Sequence, residues 1–140
     1  MKKIVYIVLA VIFIISCSKG RDVKQLIAGD CCQYWFWPTA DSQVKTKFYI
    51  YFDQKGRMFL LEERHLNKKI ALYDGEDVAY YPTWSLNNDS IITWFGRDRK
   101  LTVISDTFII TKDKEWNIVD TLYKVTNPHL LKKLQEVKIP

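Results

Sequence analysis

Three cysteines and two histidines are the residues of this 140-residue chain best suited to bind a metal or act as nucleophiles. Cys17 stands alone, Cys31 and Cys32 are adjacent, and His65 and His129 are far apart. A structural zinc site needs about four ligands at suitable spacing, so we predict no metal site and no cofactor. Adjacent strand residues point to opposite faces. We therefore interpret Cys31 and Cys32 as small, partly buried side chains, and a mutual disulfide, formed in an oxidising compartment, is the alternative.

The densest ionisable cluster is Glu62-Glu63-Arg64-His65. It lacks a second histidine at helical spacing, which excludes the zinc-hydrolase helix motif. It also follows a predicted strand as a polar loop, where no concave site with shifted pKa values is expected. The sequence contains no Gly-x-Ser-x-Gly elbow, phosphate-binding glycine loop or dinucleotide-binding motif. We therefore predict that the protein is not an enzyme.

Residues 1–16 have the pattern of a signal peptide. Two lysines precede an unbroken apolar run from Ile4 to Ile15, which is shorter than the roughly 20 residues of a membrane-spanning helix. Ile14-Ile15-Ser16-Cys17 then resembles the lipobox of bacterial lipoproteins, in the looser form found in Bacteroidota. The resemblance implies cleavage before Cys17 and the attachment of fatty acyl chains to it. An ordinary signal peptide that contains a cysteine is the alternative.

Acylation of Cys17 would hold the protein on a membrane, because two or more acyl chains form a stable anchor. Residues 17–25 would be the lipidated cysteine and its tether, and residues 26–140 the folded domain. Ser18-Lys19-Gly20 lacks the aspartate that retains enteric lipoproteins in the inner membrane. We therefore expect an outer-membrane location, with the domain facing the periplasm.

The charge pattern argues against nucleic-acid binding. The net charge of +5 includes Lys2 and Lys3 of the predicted signal peptide, and the other basic residues are interspersed with acidic ones. A nucleic-acid-binding domain usually concentrates its basic residues in one patch or stripe.

Alternating apolar residues predict strands from Cys31 onward. The clearest strand is 44–52, with Phe48, Ile50 and Phe52 on a buried face and Tyr49 and Tyr51 on the opposite one. Asp53-Gln54-Lys55-Gly56 predicts a hairpin turn, with glycine at a positive φ.

Further strands are predicted at 57–63, 70–73, 78–86, 91–95, 101–104, 107–111 and 116–125, the last with a bulge. A turn is predicted at 96–99. Short turns exclude a parallel sheet, whose connections need about a dozen residues. The predicted fold is all-β: a small antiparallel up-and-down β-barrel of about eight strands, whose interior holds side chains or one small ligand.

Two short helices are also predicted. Residues 23–28 would form one or two helical turns ended by Gly29. At the C-terminus, Asn127 is a good N-cap and Pro128 suits the first helical position. Leu130, Leu131, Leu134 and Val137 then form an apolar stripe, which predicts a short helix docked on the barrel; an interfacial membrane helix is the alternative.

Several short motifs over residues 26–125 resemble the lipocalin-like domains of Bacteroidota lipoproteins. They are Leu26-x-x-Gly29, Phe48-x-x-x-Phe52-x-x-x-Gly56, Trp84-Ser85-Leu86 with Ser90-Ile91-Ile92, and Leu101 to Ile110 with Ser105-Asp106-Thr107 at its centre. The resemblance implies a small β-barrel. Asp89-Ser90-Ile91 and Asp120-Thr121-Leu122 are similar to the O-glycosylation acceptor of the same phylum, the first being the more accessible because it lies at a predicted turn; chance is the alternative for each.

The aromatic residues supply the candidate site. The chain contains five Trp, eight Tyr and seven Phe. We expect Phe48, Tyr80, Trp84 and Trp94 to line an apolar pocket, the alternative being that they only fill the core. The sequence thus favours a non-catalytic, lipid-anchored envelope protein that binds a small apolar or amphipathic ligand. The alternative is a protein-binding module, such as a toxin immunity protein.

Overall fold

The computed structural model describes residues 22–38, 45–75, 82–88 and 90–140, and these ranges hold two short helices and nine strands. The helices are α1 (Val23–Ala28) and α2 (Pro128–Gln135). The strands are β1 (Cys32–Trp37), β2 (Lys47–Asp53), β3 (Met58–Glu63), β4 (Ile70–Leu72), β5 (Trp84–Asn87), β6 (Ile91–Trp94), β7 (Arg97–Ile104), β8 (Phe108–Asp113) and β9 (Val119–Lys124).

The strands form one antiparallel sheet in the order β4-β3-β2-β1-β9-β8-β7-β6-β5. The sheet curls into a half-barrel, and an isolated bridge between Arg57 and Thr83 joins the start of β3 to the start of β5. Consecutive strands are neighbours except for β4 and β5, which form the two edges of the sheet, and β1 also pairs with β9. The prediction of a small, all-β, barrel-like meander with a C-terminal helix is therefore confirmed.

Positive-φ residues form the tight turns of the sheet. Gly56 has φ +83° in the β2–β3 turn, as predicted. In the β6–β7 turn, Phe95 and Gly96 have φ +49° and +70°. Because these two residues complete the turn, Arg97 already lies in β7, and the prediction of a turn over 96–99 was wrong. The predicted bulge was also misplaced: the register shifts in β7, between Leu101 and Val103, while β8 and β9 pair continuously.

The concave face of the sheet holds an inner cluster of apolar residues. Its members are Ile27, Ala28, Trp35, Ile50, Phe52, Met58, Leu60, Trp84, Ile92, Trp94, Ile109 and Leu122. Helix α1 packs against this cluster, and the indole N–H of Trp35 donates to the Ile27 carbonyl at 2.7 Å. Helix α1, the first half of which lies in the segment predicted as tether, is thus packed on the sheet.

An outer cluster lies on the convex face of β1–β4 beneath α2. Its buried members are Tyr34, Tyr49, Tyr51, Leu61, Ile70, Val125 and Leu134. The prediction that β2 has only one buried face was therefore wrong, because α2 covers the tyrosine face. The helix itself follows the sequence prediction: Asn127 accepts from the Leu130 N–H at 3.1 Å, and Leu130, Leu131, Leu134 and Val137 pack on the sheet.

Cys17, Tyr80, Asp89 and residues 1–16 lie outside the described residues. Neither helix of the described ranges has the length and apolar character needed to span a bilayer.

Candidate functional site

Three of the four predicted pocket residues lie together on the concave face. Trp84 and Trp94 are buried, and Phe48 is half-buried against the inner cluster. The rings of Trp84 and Trp94 both pack on Phe52, with centroids 5.4 and 5.6 Å from it. The indole N–H of Trp84 donates to the Asp53 carbonyl at 2.9 Å. Trp84 is therefore held as a core residue, whereas Trp94 borders a group of charged side chains.

The inner face of β6–β9 carries a buried polar group, named here the Arg99 cluster: Trp94, Arg99, Thr111, Asp113 and Asp120. The side chain of Arg99 is 8% exposed. It donates to Asp120 through a short contact, lies 3.8 Å from Asp113, and places its guanidinium 5.0 Å from the Trp94 ring centroid. Asp120 also accepts from the Trp37 indole at 3.1 Å. One cation thus faces two carboxylates inside an otherwise apolar core.

Strand register explains how these residues meet. Arg99 is paired directly with Asp113 across β7–β8, and Thr111 is paired with Asp120 across β8–β9. Alternate residues of a strand share a face, so Arg99, Thr111, Asp113 and Asp120 all point into the curl of the sheet. Cross-strand pairing of opposite charges adds to sheet stability.

Four buried atoms of the Arg99 cluster find no hydrogen-bond partner among the described residues. They are Trp94 Nε1, Arg99 Nε, Thr111 Oγ1 and Asp113 Oδ2. An unsatisfied buried polar group costs about 1 to 3 kcal/mol, so native proteins rarely gather several in one place. Their proximity makes the Arg99 cluster the candidate for contact with a bound polar group.

The Asp113 carboxylate connects the interior to the β8–β9 turn. Its Oδ1 accepts from the backbone N–H groups of Glu115 and Trp116 at 2.9 and 3.0 Å, while Oδ2 faces Arg99. The Trp116 N–H, followed by that of Glu115 and by the charges of Arg99 and Arg97, lowers the pKa of Asp113 despite its burial. The carboxylate therefore remains ionised at neutral pH.

Sequence reasoning did not find the Arg99 cluster. Arg99 and Asp113 were assigned to turns, and Asp120 was considered only as part of a glycosylation-like triplet. The available signal was the pairing of opposite charges once the β7–β8 register is known. That register depends on the two-residue turn at Phe95-Gly96. The sequence did not predict so short a turn, because the charged residues that follow Gly96 are also typical of turns.

Among the described residues, depressions of the outer surface occur beside each helix. One, of about 450 Å³, is lined by Gln25, Asp30, Cys31, Cys32, Gln33 and their neighbours at the end of α1. The other, of about 600 Å³, lies between β4 and α2 and is lined by Lys68, Lys69, Lys133 and Lys138 over an apolar floor. Both are open to solvent.

The convex face of β8–β9 differs from the face under α2 because its apolar side chains are exposed. Val119 is 60% exposed and Tyr123 48%, and in the adjoining β8–β9 turn Trp116 is 58% and Ile118 47% exposed. The guanidinium of Arg97 lies 4.4 Å from the Trp116 ring centroid. Exposed aromatic and aliphatic side chains beside cations are typical of a contact surface.

The part of the chain that the structure describes brings no three His, Cys, Asp or Glu side chains together as a metal site. No protein-family model matches this chain, and comparisons with curated proteins and with solved structures find no significant match either.

Proposed function

We propose that this protein is a non-catalytic, lipid-anchored lipoprotein of the cell envelope that binds a small amphipathic ligand inside its curled sheet. The observation that carries the ligand-binding proposal is the Arg99 cluster, in which four buried polar atoms at the edge of an aromatic core lack a hydrogen-bond partner within the residues that the structure describes. A cluster that served stability alone would have its hydrogen bonds satisfied.

The chemistry of the four atoms defines the polar end of the ligand. Trp94 Nε1 and Arg99 Nε are donors, Asp113 Oδ2 is an acceptor, and the Thr111 hydroxyl can do both. A hydroxyl, amide or carboxylic acid group could accept from the first two and donate to the third. The apolar part of the ligand would lie against Phe48, Trp94 and their aromatic neighbours, as in most small-molecule sites.

The anchor belongs to the same proposal and is supported by the lipobox-like sequence that ends at Cys17. Acyl chains on Cys17 would hold the folded domain at a membrane surface. The expected location is the outer membrane, with the domain in the periplasm.

Binding of an uncharged fluorescent fatty alcohol, 11-(dansylamino)undecan-1-ol, to the full chain tests the ligand site. The informative variant is Thr111→Val, which removes a buried, partnerless hydroxyl and keeps the side-chain shape. The matched control is Thr121→Val, on the opposite face of neighbouring β9. We expect Thr111→Val to bind the probe about five- to tenfold more weakly, as the loss of one hydrogen bond worth about 1 kcal/mol implies.

Two results of this titration would overturn the ligand proposal. One is a wild-type chain that does not bind the probe. The other is equal binding by the wild type and Thr111→Val, because the hydroxyl would then not face the ligand. Thermal unfolding of both variants checks that each is folded, and replacing a buried unsatisfied hydroxyl by a methyl group should not destabilise the protein.

Mass spectrometry of the mature N-terminus tests the anchor separately. The expected product begins at Cys17 and carries acyl chains, whereas Cys17→Ser should give an unacylated chain that is released from membranes. An unacylated wild-type chain would contradict the anchor and leave the ligand site untouched.

A second candidate function, a protein-binding module, is favoured by the exposed face of β7–β9. Lys100 and Lys112 are paired directly across β7–β8 on that face and are both exposed. Like charges directly opposite one another destabilise a sheet, and an acidic partner would remove that repulsion while covering Val119 and Tyr123 and reaching Trp116 in the adjoining turn. The partner expected here is an acidic protein with an apolar centre to its contact surface.

A further inference from the structure

Cys31 and Cys32 are not arranged as neighbouring residues of a strand usually are. Cys32 is the first residue of β1, while Cys31 still belongs to the bend that follows Gly29, whose φ is +62°. As a result both side chains turn the same way, and their sulfur atoms lie 3.5 Å apart.

The surrounding contacts hold this bend in place. The Cys31 carbonyl accepts from the Gln54 N–H at 3.1 Å, and the Gln54 side chain donates to the Gly29 carbonyl at 2.6 Å. Cys32 is paired with Asp53 at the start of the β1–β2 ladder. The thiol pair therefore sits on the fixed end of a hairpin.

Both thiols line the depression of about 450 Å³ beside α1. Cys31 is exposed and Cys32 is half-buried. Burial, followed by the neighbouring Cys31, raises the pKa of the Cys32 thiol. The depression leaves room for a group attached to whatever bridges the two sulfurs.

We infer that Cys31 and Cys32 form a dithiol site that chelates a single thiophilic, trivalent metalloid atom, such as arsenic(III). The inference rests on the 3.5 Å separation of the sulfurs and their access from the depression, and it is independent of the ligand proposed for the interior.

The distance between the two sulfur atoms determines which atoms can bind to both of them. An atom bonded to both sulfurs at about 2.3 Å, the length of a zinc–thiolate bond, would subtend an S–X–S angle of about 100°. A pyramidal trivalent metalloid has an angle of this size. A linear two-coordinate ion would need sulfurs about 4.6 Å apart on the same bond length. Zinc needs about four ligands, and the described residues bring no three His, Cys, Asp or Glu side chains close enough together to hold a metal ion.

A disulfide between the two residues is disfavoured by backbone geometry. Adjacent Cα atoms are about 3.8 Å apart across a trans peptide, whereas disulfides usually span about 4.4 to 6.8 Å between Cα atoms. Closing the sulfurs to about 2.05 Å would strain the bend. Chelation of a bridging atom needs no such movement.

The two thiols can react with an arsenoxide without any oxidant. Two S–H bonds and the As=O bond break, two As–S bonds form, and the two thiol protons leave with the oxygen as one molecule of water. Arsenic stays trivalent and both sulfurs stay reduced.

Phenylarsine oxide tests the site on the full chain. Trypsin releases residues 25–45 as one peptide, which contains Cys31 and Cys32 but not Cys17. We expect one equivalent of reagent on this peptide, protection of both thiols from alkylation, and release by ethanedithiol but not by a monothiol. Cys31→Ser and Cys32→Ser should each lower the affinity for the reagent by at least about 100-fold, because chelation is lost. Cys17→Ser is the matched control and should bind like the wild type.

Three results would overturn the inference. They are a peptide isolated with Cys31 and Cys32 joined as a disulfide, alkylation of either thiol in the presence of the arsenoxide, and serine variants that bind as tightly as the wild type. Unfolding curves of the serine variants, in which an exposed or half-exposed thiol becomes a hydroxyl, show whether a loss of binding reflects a loss of fold.

Discussion

Strands β1–β4 and strands β7–β9 belong to one sheet and show the same alternation of side chains, yet they bury different chemistry. In β1–β4 both faces are apolar, because α1 and the inner cluster cover one face and α2 covers the other. In β7–β9 the inner face holds the charged Arg99 cluster, the outer face exposes Val119 and Tyr123, and the β8–β9 turn exposes Trp116.

The packing of strands β1–β4 stabilises the domain. Tyr49 illustrates this, since it is buried under α2 and its hydroxyl donates to Glu63 at 3.2 Å. A side chain that would be exposed in a simple barrel is here packed and hydrogen-bonded. The convex face of β1–β4 thereby adds a second hydrophobic core to a small domain, which needs the additional buried area.

The second region departs from what stability alone would select. Buried charges are weak evidence for stability, and exposed large apolar side chains contribute nothing to the core. Buried charges and exposed apolar side chains of this kind are expected where a protein binds a ligand or a partner. The contrast therefore favours β7–β9 for the contacts proposed above, whereas β1–β4, apart from the thiol pair at the start of β1, form the scaffold.

The largest expected effect comes from breaking the Arg99 cluster. Arg99→Met leaves Asp113 and Asp120 as buried charges without their cation, and removal of one partner from a buried pair costs about 3 to 5 kcal/mol. Urea unfolding measures the loss.

The control for this prediction is the triple variant Arg99→Met, Asp113→Asn, Asp120→Asn. It removes all three charges, while the amide oxygens can still accept from the β8–β9 turn and from Trp37. We expect it to regain most of the lost stability. A single variant that loses less than about 1 kcal/mol would mean that the two carboxylates are solvated, and the comparison between the two regions would lose its main support.

A slightly smaller effect is expected from the outer cluster. Leu134→Ala removes a fully buried side chain of α2 and should cost about 2 to 4 kcal/mol. Gln135→Ala, the next residue and exposed, should change stability by less than about 0.5 kcal/mol. If both variants behaved alike, α2 would not be docked, and the convex faces of the two regions would be equivalent.

Sequence patterns predicted the apolar half of the fold well. Alternation located β2 and β3, glycine marked their turn, and the N-cap and apolar stripe identified α2. These features depend on residues close in sequence, where periodicity and turn chemistry act directly. The burial of Tyr49 and Tyr51 was missed because it depends on a helix that lies far along the chain.

The candidate site was less predictable for a related reason. Trp84 and Trp94 could be placed on the inner face from alternation alone, but the charges of Arg99, Asp113 and Asp120 made their segments look like turns or surface strands. A buried ion pair has no periodic signature. It becomes visible only when strand register brings its members together, and the register in turn depends on a Phe95 with positive φ, which is uncommon for such a side chain.

Raising the pH tests the outer cluster without removing a side chain, because the protein at neutral pH is the wild type. Burial, followed by the neighbouring Cys32, raises the pKa of both Tyr34 and Tyr51 to about 12. The unfolded chain releases these protons near pH 10, so between pH 10 and 12 the folded state binds more protons than the unfolded one. Stability should therefore fall as the pH rises through this window.

Ultraviolet absorbance of the phenolate measures this titration. Tyr34→Phe and Tyr51→Phe should each remove one of the phenols that titrate well above pH 10 and should reduce the loss of stability above pH 10. If all tyrosines of the folded protein ionised together near pH 10, the face under α2 would be as accessible as the face of β8–β9.

The smallest effect on stability, with a large effect on binding, is expected at Trp116. Trp116→Ser alters an exposed side chain, so the free energy of unfolding should change by less than about 0.5 kcal/mol. A central aromatic residue of an interface contributes about 2 kcal/mol or more, which corresponds to roughly 30-fold in affinity. Leu66→Ser, at an exposed residue outside β7–β9, is the matched control.

Affinity purification from detergent-solubilised membranes distinguishes the possible occupants of this face. An acidic protein recovered in stoichiometric amount with the wild type and Leu66→Ser, but not with Trp116→Ser, would support the protein-binding function. High salt should weaken its binding, because Lys100 and Lys112 are exposed. Binding to protein-free vesicles that depends on Trp116 would instead assign the face to the membrane, and an unchanged partner with Trp116→Ser would leave the interior as the binding region of β7–β9.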